Sequence, residues 1–151
     1  MPDDFLQARG IDRTAKHLSD VAKRAGDIKK ASFKVRTIYR QAEERQFASR
    51  GGGAWPALKD STREAKARKN YDPRPMRATN ALYKALTAPR ARGQVDERAE
   101  DEFRFGTDLP YAAFHDKGKG VPTRKLIDLT ARERQDIDDA LGDFIAKGET
   151  R

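Results

Sequence analysis

The 151-residue chain has no cysteine and only two histidines. Without thiols it has no disulfide, no thiol nucleophile and no thiolate metal site, in keeping with folding in a reducing cytoplasm. Aromatic residues make up 8% of the sequence, with one tryptophan. No window approaches the roughly 20 consecutive apolar residues of a membrane span, so no membrane partner is expected. The opening Met1-Pro-Asp-Asp has no basic region running into an apolar one, so no secretory signal is expected. There is no internal repeat and no Gly-x-x-x-x-Gly-Lys-Ser/Thr phosphate loop, since Gly51-Gly-Gly53 lacks both the lysine and a preceding strand. No cofactor is implied.

What the chain does have is charge. Asp, Glu, Lys and Arg make up 37% of it, for a net +8. Residues 1–92 carry 22 Lys and Arg against 10 Asp and Glu, while residues 93–151 carry 10 against 14. The first part is thus +12 and the second −4. Such a split suits a surface that accepts phosphates or an acidic partner and another that does not. The plainer alternative is a set of solvated helix faces.

The apolar spacing predicts an α+β fold: N-terminal helices, a small antiparallel hairpin and a closing helix. Phe5-Leu6 through Ile11 reads as a short lead-in strand. Ala15, Leu18, Val21, Ala22 and Ala25 line one face of a first helix ending at Gly26. Asp27 caps a second helix from Ile28 to about Phe47, with a narrow seam of Ile28, Ala31, Val35, Ile38 and Ala42. Residues 1–48 therefore form a helical part. Residues 49–92 follow as a Gly/Trp linker and basic segment: a flexible break at Ser49–Gly53, an anchor at Trp55, a basic helix from Thr62 to Asn70, and a short helix from Met76 to Leu86. Residues 93–129 hold the hairpin, Gln94–Ala99 and Glu102–Thr107, and then an aromatic loop with Tyr111, Phe114 and His115. Gly118 and Gly120 read as its hinge, and Pro122-Thr-Arg124 as an anchor. Residues 130–147 are a final helix opened by the capping box Thr130-Ala-Arg-Glu133, with Ile137, Leu141, Phe144 and Ile145 inward. All of this fits one domain.

Catalytic signals are poor. His17 with Asp20 three residues on reads as a surface hydrogen bond. His115 beside Asp116 is more suggestive, but no nucleophile elbow, metal-spaced second histidine or paired carboxylates accompany it. Asp136, Asp138, Asp139 and Asp143 spread round a helix and lack the spaced oxygens of a calcium loop. The chain is not expected to be an enzyme. Arg63, Lys66, Arg68 and Lys69 form a basic run that could follow a phosphate backbone, making a DNA-binding accessory protein the alternative, though no aromatics interleave with it.

Six pieces occur in one order: Trp55-Pro-Ala-Leu58 after a helix; a basic stretch with Thr62 and Lys66; Met76-Arg-Ala-Thr79-Asn80-Ala-Leu82; Gly106-Thr107; Tyr111-Ala112 with His115 and Gly118; and Pro122-Thr-Arg124-Lys-Leu126. This order resembles the phage virion morphogenesis family of tail-completion proteins. Asn80 stands where glycine is usual, Ala85 replaces a serine, and Lys125 an aromatic or proline. Asparagine tolerates the left-handed backbone that glycine would adopt. The resemblance implies a structural virion protein that completes a phage tail or joins it to the head at the neck, after assembly in the host cytoplasm. It would act as a ring commonly of six copies. Its partners would be connector or neck proteins and the tail tube or terminator, with passing contact to packaged DNA; a tail terminator is a close alternative. A ring needs anchors, and Trp55, Leu58, Tyr111, Phe114, His115 and Arg124 are the interface candidates. For Trp55, packing in the core is an equal reading.

Overall fold

A computed structural model describes residues 11–149 and contains six α-helices and one two-stranded antiparallel sheet. The lead-in strand expected around Phe5 lies outside the described residues. Helix α1 (Ile11–Gly26) is followed by one 3-10 turn (Lys29–Ala31) and by α2 (Ser32–Ala48). The Asp27 carboxylate accepts from the Lys29 N–H at 3.1 Å, so the expected cap holds a tighter first turn rather than an α-helix starting at Ile28.

Helix α2 organises the rest. Ala31, Val35, Ile38, Tyr39, Ala42 and Phe47 are buried along it. Strands β1 (Gln94–Arg98) and β2 (Phe103–Thr107) pair in the register Gln94 with Thr107 through Arg98 with Phe103. They pack on the N-terminal half of α2. There Tyr39 stacks on Phe105 at 5.6 Å and Arg36 pairs with Asp96 at 2.9 Å. The Ile28 N–H donates to the Glu100 carbonyl at 2.8 Å, pinning the hairpin turn beside the start of α2. Arg98 lies over the ring of Phe33, itself exposed.

The C-terminal end of α2 meets the main apolar cluster: Phe47, Trp55, Leu82, Leu86, Ala112 and Leu126. Phe47 is edge-on to both Trp55 and Tyr83, at 5.3 and 5.2 Å, a geometry that aromatic quadrupoles favour. Arg40 donates to the Thr87 carbonyl at 2.7 Å and ties α2 to the end of α4 (Ala81–Thr87).

Helix α6 (Ala131–Lys147) opens with the capping box: Glu133 N–H to Thr130 Oγ1 at 3.2 Å, and Thr130 N–H to Glu133 Oε2 at 2.7 Å. Its Phe144 is buried, and Ile137, Leu141 and Ile145 are half-buried. Arg24 on α1 donates to the Ile145 and Ala146 carbonyls at 2.7 and 2.9 Å. These are carbonyls that a helix end leaves unpaired.

Four expectations need correction. The aromatic loop is helix α5 (Pro110–Lys117), with Pro110 in its first turn and Gly118 left-handed at its end. The short helix starts at Ala81, not Met76, because Met76 and Asn80 both take positive φ, 62° and 61°. The apolar face of the first helix is only partly covered among the described residues, with Leu18 exposed and Val21 half-buried. Finally, Ser49–Gly53 is an ordered turn, not a flexible one. Arg50, Gly51, Gly52 and Gly53 are all left-handed, and the Gly51 N–H donates to Gln46 O and the Trp55 N–H to Arg50 O. A Cβ on Gly51 would fall within 2.3 Å of the Trp55 ring, so glycine here supplies both the dihedral and the space.

Candidate docking surface

Helix α3 (Asp60–Arg68) buries none of its residues, as its composition predicts. Of the basic residues Arg63, Lys66, Arg68 and Lys69 on and just after it, the first two are tied within the chain. Lys66 donates to the Asp72 and Arg74 carbonyls at 2.9 and 2.6 Å, stapling α3 to the Pro73–Pro75 loop, and Arg63 pairs with Asp60. Arg68 is exposed, and the Lys69 ammonium sits 5.9 Å from the Tyr71 ring centroid. The structure does not gather these four into one free basic stripe.

Helix α5 buries Ala112 and turns Tyr111 and Phe114 outward, three residues apart on one face, 42% and 50% exposed. The segment after it is sewn down. Arg124 is 4% exposed and donates through Nε and a terminal nitrogen to the Pro56 carbonyl, at 3.2 and 2.8 Å. Its backbone N–H donates to His115 O at 2.8 Å. The Lys125 carbonyl accepts from Trp55 Nε1 at 3.0 Å and Gln46 Nε2 at 2.8 Å, and Leu126 N–H donates to Asp116 Oδ1 at 3.0 Å. Pro-x-Arg is thus an anchor, and Trp55 is buried beneath it.

Between α3, the Met76–Asn80 bend, α5 and residues 120–124 lies a cleft of about 550 Å³. Leu58, Met76, Leu82 and Val121 give it apolar walls, and Tyr111 stands at its edge. Lys59, Lys66, Arg77, His115 and Arg124 also line it, and no carboxylate does. No described carboxylate forms an ion pair with Arg124, and burial alone pushes its guanidinium below its usual pKa. The His115 ring is depressed by burial first and the nearby Arg124 charge second, and its Nδ1 is buried without a partner. Since Asp116 is turned to the Leu126 backbone, no carboxylate orients that imidazole for proton transfer.

Of the residues singled out from sequence, Leu58, Tyr111, His115, Arg124 and Lys66 meet at this cleft; Trp55 lies in the core and Phe114 on the outer face of α5. Met76, Arg77 and Asn80 were missed as wall residues. Reading Met76–Leu86 as one helix hid the bend. Arg77 packs 3.7 Å from the Tyr83 ring and donates to Asn80 Oδ1 at 2.9 Å. Asn80, at φ 61°, has the left-handed backbone its substitution for glycine suggested.

His17 is exposed on α1 and makes no described bond to Asp20. On α6, Asp136 pairs with Arg132 at 3.1 Å and Asp143 with Lys147 at 2.7 Å, both within the helix. No cluster of metal-ligating side chains occurs among the described residues.

This arrangement has the parts of a docking surface: exposed aromatics beside a cationic cleft. The model of the phage virion morphogenesis family matches residues 7–146. The chain belongs to that family. No curated protein and no solved structure matches it. As a member of the phage virion morphogenesis family it has a structural or assembly role in a phage virion. No helix among the described residues is long and apolar enough to cross a membrane.

Proposed function

We propose that this chain is a subunit of a ring, commonly of six copies, that completes a phage tail or joins it to the head at the neck. The observation that carries the reading is the outward face of α5, where Tyr111 and Phe114 stand exposed beside a cleft that the chain leaves empty of carboxylates. Aromatic anchors dominate interface energies, and two exposed on one short, pinned helix are costly to a protein that works alone. The role is non-catalytic: His115 has no orienting carboxylate and serves the packing of α5 against Arg124. Neighbouring copies, a connector or neck protein and the tail tube or terminator are the partners. Packaged DNA meets the exposed Arg68 and Lys69 only in passing.

Particles made without the protein test this. Full heads beside finished but unattached tails would support joining or completion. Overlong tails would move the assignment to a tail terminator, the neighbouring role. A salt-sensitive complex of the lone chain with duplex DNA, lost on neutralising Arg68 and Lys69, would favour the accessory DNA-binding reading instead.

A further inference from the structure

The walls of the cleft say what it takes. A buried guanidinium cannot shed its proton, so it needs an anion or a set of strong acceptors. Arg124 has one backbone carbonyl, Pro56 O, and no described carboxylate. Lys59 is exposed at the rim, and its ammonium makes no described hydrogen bond or ion pair. Nucleic acid fits badly here. A phosphate backbone prefers an open basic groove, whereas this cleft is walled by Leu58, Met76, Leu82 and Val121. The fitting ligand is a protein carboxylate on a narrow, projecting element.

The chain carries one such element. Glu100 and Asp101 form the hairpin turn, both exposed, and neither side chain has a hydrogen-bond or ion-pair partner among the described residues. The Ile28 N–H on the Glu100 carbonyl restrains the backbone of the turn, so docking need not order it. It sits beside the N-terminal end of α2, while the cleft adjoins the cluster at the C-terminal end. The 17-residue α2 that runs between those ends is about 25 Å long at 1.5 Å per residue. Two complementary patches at opposite ends of one subunit are what a head-to-tail ring contact requires.

We infer that the cleft around Arg124 receives the Glu100–Asp101 hairpin turn of a second copy of this chain, carboxylate against guanidinium. The inference rests on the ring reading and names its contact.

The full chain tests it by sedimentation velocity. Lys59→Glu and the double substitution Glu100→Lys, Asp101→Lys each weaken self-association roughly tenfold or more, because each sets like charges together. Combining all three in one chain restores much of the loss. Association unchanged in either variant overturns the inference. Should the wild-type chain stay monomeric, the ring reading fails, and a synthetic peptide of residues 97–104 decides the contact separately. The expected result is a higher titration midpoint for the His115 ring by NMR as the carboxylates arrive, with no such shift in Lys59→Glu. No movement with the peptide, or movement with duplex DNA instead, overturns it.

Discussion

Glu43, in the C-terminal half of α2, and Arg124, after α5, are both shut away from water, and the fold treats their charges in opposite ways. Glu43 is 0% exposed, and neither carboxylate oxygen has a hydrogen-bond partner. Burial pushes it up to about 8, with Arg45 opposing and Glu133 and Asp116 adding to the rise. Arg45 itself is committed to Glu133 through two bonds of 2.7 and 3.0 Å. Glu43 therefore sheds its charge, and the interior of α2 stays neutral. Arg124 keeps its charge under the same pressure. Where a group can neutralise itself the chain closes over it, and where it cannot, a cleft stays open beside it. The pair separates a feature of the fold from a feature awaiting a partner.

The largest effect expected comes from Glu43→Gln. With its folded pKa raised, Glu43 contributes fully below its unfolded value near 4.5, and that contribution drains away as pH rises through about 8. The loss is about 1.4 kcal/mol per pH unit in that window. Urea unfolding at several pH values should show the variant gaining on the wild type by about 3 to 4 kcal/mol by pH 7.5. A gap between them that does not depend on pH would put Glu43 in contact with water and break the comparison.

Arg124→Ala should come next, costing about 2 kcal/mol through its charge-assisted bonds to Pro56 O. Arg124→Met, which keeps the stem and drops the charge, should cost less in the same denaturation experiment. Equal losses would mean that the bonds to Pro56 O, not the packed stem, hold the segment.

The smallest effect concerns His115, followed by NMR. Its midpoint should lie below the ordinary 6.5 and climb in Arg124→Met, as the second cause of its depression is removed. Because the folded value is depressed, the His115 contribution to stability is present above 6.5 and lost as pH falls through the folded value. A midpoint indifferent to Arg124 would leave burial as its whole cause and set the two groups apart.

Much of the fold was legible because the signals were local. Thr130 with Glu133, the Phe103–Phe105 alternation and the left-handed Asn80 each act within a few residues, and each is found as read. Pro110 and Gly118 bracket α5 by the same kind of signal, yet its eight residues carry too little apolar periodicity to announce a helix. The site was half legible. Tyr111, His115 and Arg124 were marked as one element, but Lys66 was assigned to DNA while it bonds to the Asp72 and Arg74 carbonyls. Trp55 was an even choice until its indole met Lys125 O, 70 residues away.

The amino-acid sequence by itself determined the order of helices and hairpin, the caps and turns, and the kinship with virion assembly proteins. Those depend on backbone preferences over a few residues and on a fixed succession of short motifs. Only the tertiary structure decided which charges lose water. Burial of Glu43 and Arg124, and the meeting of Lys59, Met76 and His115 at one cleft, depend on segments far apart in the chain arriving together. Desolvation belongs to that arrangement and to no single stretch of residues.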